Sequence, residues 1–493
     1  MVICLLFTIA MTVNAQDSEG NPYGQPLEGD GGITICYAYT QSTNTTLSIS
    51  SPGKSIEYVS KLTPVIISKL TAKQIKTLSK KENIVYLGLK SERPPSPMFA
   101  YALPAVEAAY VKNTLGFNGY GVKIGMYDAG RAGTHTELNS SQITRLDTGV
   151  AVSSHATSVA RVIAGSNGVA TGAHLYSSSN GSTYEQGIEN IISYGVAAIN
   201  ISLSFSRSSG NYYTDFEKWI DHISNQHKVT VVTSAGNSGI SSVVSSPGLA
   251  YNTITVGSMD PNSTTNKSDD FFRDDYTSTD NGGPAGCAKP DVLAPGQLTL
   301  GGGTSYAAPM VTGIIAQMIE YKPTIASDPA LIKAILTACT DRKVPPKFGF
   351  GANEVYEGTI TAQQGAGVVN AKRAILILSG GKYFSSASMS TGTSTKTFPV
   401  PSGNTYIRFA LAWIRPNTAA TNHNSGTATA ATAANLRLNV YRPSGALAAS
   451  SNSQTSSVEL VHFQVNSVFG TYSAGITRMD SGSNTFKYAM AWY

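Results

Sequence analysis

A serine that follows three glycines and a threonine has the surroundings of a nucleophile. Residues 301–309 read GGGTSYAAP, and the glycines permit a tight turn against which another chain can lie closely. The apolar residues after Ser305 are spaced as in a helix buried on nearly every side. Because proline is tolerated only in a first turn or at a kink, Pro309 predicts that this helix begins close to Ser305. A helix N-terminus favours developing negative charge, so the Ser305 hydroxyl suits covalent catalysis, with simple helix capping as the alternative.

The segment GTSYAAP resembles the serine signature of the subtilisin-like serine proteases, GTSxAxP. This resemblance implies an aspartate and a histidine upstream, in that order. Asp128 follows a predicted strand, Val122–Tyr127, and begins Asp-Ala-Gly where the family has Asp-Ser-Gly or Asp-Thr-Gly. An aspartate directly after a strand is also a common turn former. By the resemblance, Asp128 is predicted to orient the catalytic histidine.

His155 opens the segment HATSVARVIAG, whose apolar positions recur at helical spacing before a terminal glycine. The segment resembles HGTHVAGxIAG of the same family, with Ala156 in place of glycine and Ser158 in place of the second histidine. The catalytic histidine of the family is the first one. The resemblance therefore implies that His155 is the general base.

Asn237 lies in VVTSAGNSG, where a predicted strand meets glycines. As a turn residue it suits a left-handed conformation. In the family the asparagine of this AGN motif projects its amide into the oxyanion hole, and the resemblance implies that role here. Two further segments, NISLS at 200–204 and PDVLAPG at 290–296, also resemble family motifs.

The resemblance also implies which residues line the substrate. Ser204 stands where the family usually has glycine, which predicts a narrower, more polar primary pocket and a reduced preference for large aromatic side chains. A peptide substrate is expected to pair with two of these segments as an added strand. The predicted substrate-binding residues are Ser202, Leu203, Ser204, Ser234, Ala235, Gly236, Gly303 and Thr304.

These residues together predict a serine endopeptidase that acts through an acyl-enzyme intermediate. The chain order Asp, His, Ser separates it from trypsin-like enzymes, and the absence of a GxSxG motif argues against an α/β-hydrolase. Two alternatives remain open. One is a catalytically silent relative that binds peptides or glycans, and the other is an esterase with the same triad.

Composition limits the other classes of function. The chain has 493 residues, so two to four domains are expected, and only 13% of the residues are charged, as in secreted, loop-rich proteins. A net charge of +5 gives no argument for binding nucleic acid or an anionic membrane. Residues 1–15 read as a signal peptide, and no other run is long enough to span a membrane, so export is predicted.

Residues 16–97 are predicted to be a propeptide-like α+β domain with a proline-rich connector. Strands are expected at 33–40, 65–67 and 84–89, with a helix at 71–78. The order of these elements resembles the inhibitory propeptide of the family. That resemblance implies an intramolecular inhibitor that speeds folding and is then cut off between about Lys90 and Tyr101.

Residues 98–378 alternate strands and helices, which predicts a mostly parallel α/β sheet covered by helices on both faces. Strands are expected at 122–127, 197–203, 229–233 and 254–257. Residues 379–493 carry short alternating runs and turn signals typical of a β-sandwich. Because every candidate catalytic residue precedes this last domain, it is predicted to be dispensable for chemistry.

No cofactor is predicted to be required, and no metal-ligand spacing is present. Five aspartates between 269 and 280 make calcium binding possible, with a solvated loop as the favoured interpretation because no EF-hand spacing occurs. Cys287 and Cys339 form a disulfide in one reading and remain free, buried thiols in the other.

Overall fold

The computed structural model divides into two compact units, which meet in sequence between Ser96 and Pro97. In the first unit it describes the backbone of four strands. In the second it describes residues 99–493 except 148, 180–183, 204–212, 280–287, 299–300, 348–359, 404–405, 417–434, 454–455 and 483–484. The predicted signal peptide at 1–15 and the predicted helix at 71–78 lie outside the described residues.

The first unit contains an antiparallel sheet in the order β2-β3-β1-β4. Three of its strands occur where the sequence predicted them, and β2 was missed. Its strands are β1 Thr34–Thr40, β2 Ser55–Val59, β3 Val65–Leu70 and β4 Ile84–Leu89.

The second unit is built on a mostly parallel sheet in the order β13-β12-β11-β10-β5-β9-β7, with β14 also paired to β12. Among the described strands of this sheet, only the β12–β13 pairing is antiparallel. All four strands predicted from the sequence are present in it. The strands of this part are β5 Lys123–Tyr127, β6 Arg131–Ala132, β7 Ile143–Arg145, β8 Val152–Ser153, β9 His174–Ser178, β10 Ala198–Ile201, β11 Thr230–Ser234, β12 Ile254–Asp260, β13 Phe271–Phe272, β14 Val292–Pro295, β15 Gln297–Leu298 and β16 Gly301–Gly302.

Helices cover both faces of this sheet, as predicted. Two successive residues of β10 illustrate this covering of both faces. Ala198 packs into one hydrophobic cluster, and Ile199 packs into another on the opposite face. None of the described helices has the length and apolar character needed to cross a bilayer. The helices are α1 Ala102–Ala105, α2 Ala108–Asn113, α3 Ser154–Ala164, α4 Tyr184–Ser193, α5 Asp215–His227, α6 Thr304–Tyr321, α7 Pro329–Ala338 and α8 Ala371–Ser379, with 3-10 turns at Ser140–Gln142 and Pro323–Ile325.

Two antiparallel four-stranded sheets follow α8, in the orders β17-β24-β19-β22 and β18-β23-β20-β21. A hydrophobic core rich in aromatic residues lies between them, which makes this part a β-sandwich, as predicted. Its strands are β17 Tyr383–Met389, β18 Thr393–Val400, β19 Tyr406–Ile414, β20 Leu436–Tyr441, β21 Leu447–Ser451, β22 Val458–Gln464, β23 Gly470–Arg478 and β24 Phe486–Trp492.

The β-sandwich is joined to the α/β part through a shared core. Ala410 and Ala412 of β19 and Ala491 of β24 belong to the same hydrophobic cluster as Leu331 and Ile335 of α7. One sheet of the sandwich therefore covers α7, whose ten residues are all buried. The two parts form one compact unit.

Candidate active site

The parallel sheet brings the predicted catalytic residues toward one edge. Asp128 directly follows β5, Ser202 directly follows β10, and Asn237 lies three residues after the end of β11; these strands are neighbours in the sheet and parallel. His155 and Ser305 each occupy the second position of a helix, α3 and α6. Carboxyl ends of parallel strands meet at one edge, which is where α/β proteins place their functional groups.

Asp128 and His155 form a direct hydrogen bond. Nδ1 of His155 donates to Oδ1 of Asp128 at 2.8 Å, since a carboxylate can only accept. The same oxygen accepts the Ala129 N–H at 2.7 Å. The helix that carries the histidine is capped by Ser153, whose hydroxyl oxygen accepts the Ala156 N–H at 3.2 Å. With Nδ1 fixed in this way, the basic nitrogen of the ring is Nε2.

Burial sets the electrostatics of this pair. Asp128 is fully buried, whereas 36% of the His155 side chain is exposed. The hydrogen bond to Asp128 raises the pKa of His155, burial opposes that effect, and the charge of Asp128 adds to the rise. Oδ2 of Asp128 is buried, and no described residue donates a hydrogen bond to it. The carboxylate charge is thus held close to the imidazole with little other compensation.

The side chain of Asn237 is fixed by two hydrogen bonds to its amide oxygen. Both the N–H and the hydroxyl of Thr304 donate to Oδ1 of Asn237, each at 2.9 Å. Thr304 is in turn held by the Gly236 N–H, which donates to its hydroxyl at 3.1 Å. Nδ2 is then the donor that Asn237 can present to a ligand, and a Cβ at Gly303 would lie 3.3 Å from it. Glycine at 303 therefore leaves room beside this donor, two residues before Ser305.

A second set of hydrogen bonds holds the backbone of Ser305. Pro309 is the sixth residue of α6 and has no N–H, so the Ser305 carbonyl lacks its usual partner four residues along the helix. The Ser202 hydroxyl donates to that carbonyl at 2.9 Å. Nδ2 of Asn200 donates to the Ser202 hydroxyl at 2.9 Å, and the Thr312 hydroxyl donates to Oδ1 of Asn200 at 3.2 Å.

This series of hydrogen bonds from Thr312 to Ser305, here called the relay, was not predicted from the sequence. The available signal was the proline four residues after the serine, which removes one donor from the helix. The helix nevertheless begins close to Ser305, as predicted, because Thr304 is its first residue.

Tyr306 is a further neighbour of the histidine that the sequence did not single out. Its ring centroid lies 5.9 Å from that of His155, with the planes tilted by 38°. Burial raises the pKa of Tyr306, and the charge of Asp128 adds to the rise. The phenol ring of Tyr306 therefore lies beside the imidazole of His155.

The predicted substrate-binding residues fall into three groups. Ser204 lies outside the described residues, and Leu203 is half-buried against the hydrophobic cluster on one face of the sheet. The remaining six are buried, and the backbone N–H and C=O groups of two of them, Ala235 and Gly236, form hydrogen bonds within the protein. These six are Ser202, Ser234, Ala235, Gly236, Gly303 and Thr304.

In the acidic segment at 269–280, two of the described aspartates form ion pairs within the protein. Asp270 forms an ion pair with Arg342, and Asp275 pairs with Arg273 at 2.6 Å. Within the described part of the chain, no group of three or more His, Cys, Asp or Glu side chains is arranged to hold a metal ion. Cys339 is buried and free, and burial raises the pKa of its thiol to about 12; Cys287 lies outside the described residues.

The α/β fold and this arrangement at the sheet edge define a serine peptidase of the subtilisin type. The sequence profile of the subtilase family matches residues 119–367. Subtilisin from Bacillus pumilus is 30% identical over 259 residues, which cover 45% of this chain and 86% of that protein. The chain belongs to the subtilase family and is a serine endopeptidase.

Two other relatives agree with this assignment in sequence. Subtilisin DY of Bacillus licheniformis is 29% identical over 46% of this chain and 86% of its own length. Serine protease AprX of Bacillus subtilis is 32% identical over 25% of this chain, and the chain spans only 34% of that protein. Among solved structures, the prenylagaramide maturation protease PagA aligns with 54% of this chain and 98% of its own, at 20% identity and a TM-score of 0.43.

Proposed function

We propose that Asp128, His155 and Ser305 form the catalytic triad of a secreted endopeptidase that works through an acyl-enzyme. The observation that carries the proposal is the 2.8 Å hydrogen bond from His155 to a fully buried Asp128. A histidine fixed in this tautomer directs its basic nitrogen away from the carboxylate. The serine signature places Ser305 in the first turn of α6, where a developing anion is favoured.

In the proposed reaction, Nε2 of His155 removes the hydroxyl proton of Ser305 as Oγ attacks the peptide carbonyl carbon. The imidazolium that forms is stabilised by Asp128. It then protonates the leaving amine, and the acyl-enzyme remains. A water molecule, deprotonated by the same nitrogen, releases the acid product and restores the serine.

The oxyanion of each tetrahedral intermediate is proposed to accept hydrogen bonds from Nδ2 of Asn237 and the Ser305 N–H. The two hydrogen bonds from Thr304 to the amide oxygen support this role, because they fix the amide before the substrate arrives. Preorganised donors stabilise the transition state without further reorganisation. No cofactor takes part in these steps, and any bound calcium would act on stability.

The substrates are proposed to be proteins or peptides that lie along residues 202–204 and 234–236 as an added strand. This placement rests on the family resemblance of the two segments, and the N–H and C=O groups of Ala235 and Gly236 also take part in hydrogen bonds within the protein. Ser204 is proposed to narrow the primary pocket. Cleavage profiling with a peptide library should then show little preference for Phe and Tyr, and a profile dominated by them would refute the narrow pocket.

Residues 1–15 are proposed to direct export, and residues 16–97 to act as an intramolecular inhibitor that is removed after folding. The antiparallel sheet of β1 to β4 supports a folded unit in that region. The parallel sheet depends on contacts distant in sequence, which makes folding slow and favours a template.

The Ser305→Ala protein tests both parts of the proposal. It should lose peptidase activity, keep its thermal transition, and accumulate with residues 16–97 still attached. Hydrolysis at the parent rate would refute the mechanism and leave another nucleophile as the explanation, whereas a parent protein without activity would favour the silent binding relative. If the purified variant still lost residues 16–97 normally, the self-cleavage part of the proposal would be refuted, and the proposed catalytic mechanism would not be affected.

A further inference from the structure

Tyr306 and Ser158 are two residues beside the candidate triad that the proposed reaction does not use. Tyr306 follows Ser305, at the position that the family motif GTSxAxP leaves free, and Ser158 stands where the family resemblance has a second histidine. The side chains of Tyr306 and Ser158 form a hydrogen bond with each other. A free position of the serine motif and a departure from the histidine motif are therefore in contact in this chain.

This hydrogen bond joins the helix of the proposed nucleophile to the helix of the proposed base. Tyr306 is the third residue of α6, directly after Ser305. Ser158 lies three residues after His155 in α3, and residues at this spacing share one face of a helix. The bond therefore links the neighbour of the nucleophile to the face of α3 that carries the imidazole.

The ring of Tyr306 also limits where the imidazole can move. Its centroid lies 5.9 Å from that of His155, within the range of contacting aromatic pairs. The hydrogen bond to Asp128 fixes only Nδ1 of the imidazole, so the ring can still tilt about that contact. Tyrosine has two side-chain torsions of its own, and the hydrogen bond at its far end restricts both. A phenol ring held at both ends limits the tilt of the imidazole beside it.

The electrostatics of the phenol indicate that it acts by contact. Burial raises the pKa of Tyr306, and the charge of Asp128 adds to the rise. The hydrogen bond with Ser158 and the charge of Arg161 oppose this effect, but the net result is a rise, so the phenol is uncharged at neutral pH. Among the described residues, Asp128 is the charged group that shifts the pKa of His155.

We propose that Tyr306 is a positioning residue for His155 and that Ser158 is the anchor that holds Tyr306 in place. The pair keeps Nε2 of the imidazole within reach of the Ser305 hydroxyl while the proton moves between them. This role differs from substrate binding, which would act on KM. The proposal rests on the proposed function, because it assigns a task that exists only if His155 is the base.

The test uses enzyme produced from the full-length chain and measures kcat and KM on a peptide substrate. Tyr306→Phe keeps the ring and loses the hydroxyl, and Ser158→Ala loses the partner, so each should lower kcat about fivefold, the size of one ordinary hydrogen bond. The double variant should lose no more than either single one, because both changes remove the same contact. KM and the acid limb of the pH profile should stay unchanged. Ser158→Thr, which restores a hydroxyl, should recover most of the rate.

Two control variants lie on the same helices. Tyr321→Phe removes the hydroxyl of another half-buried tyrosine of α6, whose ring packs against Phe117. Ser154→Ala removes an exposed hydroxyl from the first turn of α3. Both should leave kcat at the parent value.

Parent-like kcat in both single variants, or a double variant whose loss is the product of the two single losses, would overturn the proposal. A change confined to KM would assign Tyr306 to substrate binding and overturn it as well. These outcomes leave the proposed function intact, because the parent still cleaves peptides and Ser305→Ala does not. If the parent is inactive, or if Ser305→Ala cleaves at the parent rate, the proposed function fails and this proposal fails with it. If circular dichroism shows that Tyr306→Phe is unfolded, Ser158→Ala and its recovery in Ser158→Thr decide alone.

Discussion

The backbone carbonyl of Ser305, the proposed nucleophile, receives its hydrogen bond from a side chain that is distant in sequence. In an uninterrupted helix the N–H of residue 309 would donate to the Ser305 carbonyl, and proline has none. The Ser202 hydroxyl supplies the donor instead, from a residue 103 positions away. The family resemblance implies that Ser202 binds substrate, whereas its side chain contacts the helix that carries Ser305.

Replacing Ser202 with alanine should therefore lower kcat about tenfold, because an unsatisfied carbonyl lets the start of α6 shift by a few tenths of an ångström. KM should change little, since the backbone that faces the substrate remains. Steady-state kinetics on a peptide substrate measures both constants. Ser202→Thr, which restores a hydroxyl, should recover most of the rate. Ser193→Ala is the control, because its exposed hydroxyl also donates to a backbone carbonyl within a helix.

A raised kcat in Ser202→Ala, or an equal loss in Ser202→Thr, would contradict the positioning role. A change confined to KM would instead return Ser202 to substrate binding.

The pH dependence of catalysis should follow His155. The base must be neutral, so kcat/KM falls as the pH drops through its pKa, and Asp128 raises that pKa above its ordinary value. Asp128→Asn removes the charge and should move the acid limb to lower pH, while kcat falls by roughly 10⁴ because the favoured tautomer is lost. Rate profiles from pH 5 to 9 give both quantities, with the exposed Asp215→Asn as control. An unmoved acid limb would show that another group titrates.

Among the elements, the central strands and α6 could be predicted because their apolar runs are continuous and their ends carry motifs. β2 could not, since its five residues SIEYV contain only a short alternating run. The relay through Asn200 and Thr312 was also beyond the sequence, because hydrogen bonds between residues 112 positions apart leave no local pattern. The pairing of Asp128 with His155 could be expected only through the family resemblance.

Strand β22 carries a carboxyl group whose titration should be visible in stability. Glu459 is 1% exposed; its carboxylate accepts the Ser453 N–H at 2.7 Å and the Ser451 hydroxyl, and burial raises its pKa from 4.5 to about 7. Since the folded-state pKa is the higher one, the folded state binds the proton more tightly. The free energy of unfolding should therefore decrease between about pH 4.5 and pH 7, by up to about 3 kcal/mol from this residue.

Glu459→Gln keeps an acceptor for the Ser453 N–H, its NH2 group can donate to the Ser451 hydroxyl oxygen, and it has no charge to bury. Relative to its parent, this variant should gain stability at pH 8 and little at pH 4.5, with Ser305→Ala in both proteins. Chemical denaturation at the two pH values measures the difference. An equal effect at both would mean that Glu459 does not titrate in this range.

For the whole molecule, the β-sandwich is part of the folding unit that contains α7. Apart from the shared apolar core, Nζ of Lys333 donates to the Ser457 hydroxyl at 3.0 Å and to two carbonyls of the α/β part, and it lies 3.1 Å from the buried Asp291. Sequence composition marks a boundary near Ser379, but it cannot reveal that one face of each part is buried against the other. The expectation that the last domain is dispensable rested on the position of the candidate catalytic residues before it in the chain, which gives no information on this shared core.

A chain ending at Ser379 should accordingly fail to give a stable, monomeric enzyme, because α7 would expose apolar side chains and Lys333 would lose a partner. Size-exclusion chromatography and thermal unfolding, compared with the full-length chain, measure this outcome. A monomeric truncated protein that cleaves short peptides at the parent rate would restore the earlier expectation.

The most direct test of the central claim is labelling with a serine-directed phosphonate, followed by mass spectrometry of the labelled peptide. Only an activated serine reacts at a useful rate, and activation here depends on the histidine. The account predicts one modified residue, Ser305, in the mature protein, labelling at least a thousandfold slower in His155→Ala, and none in Ser305→Ala. Modification of a different serine, or equal labelling of the His155→Ala protein, would contradict it.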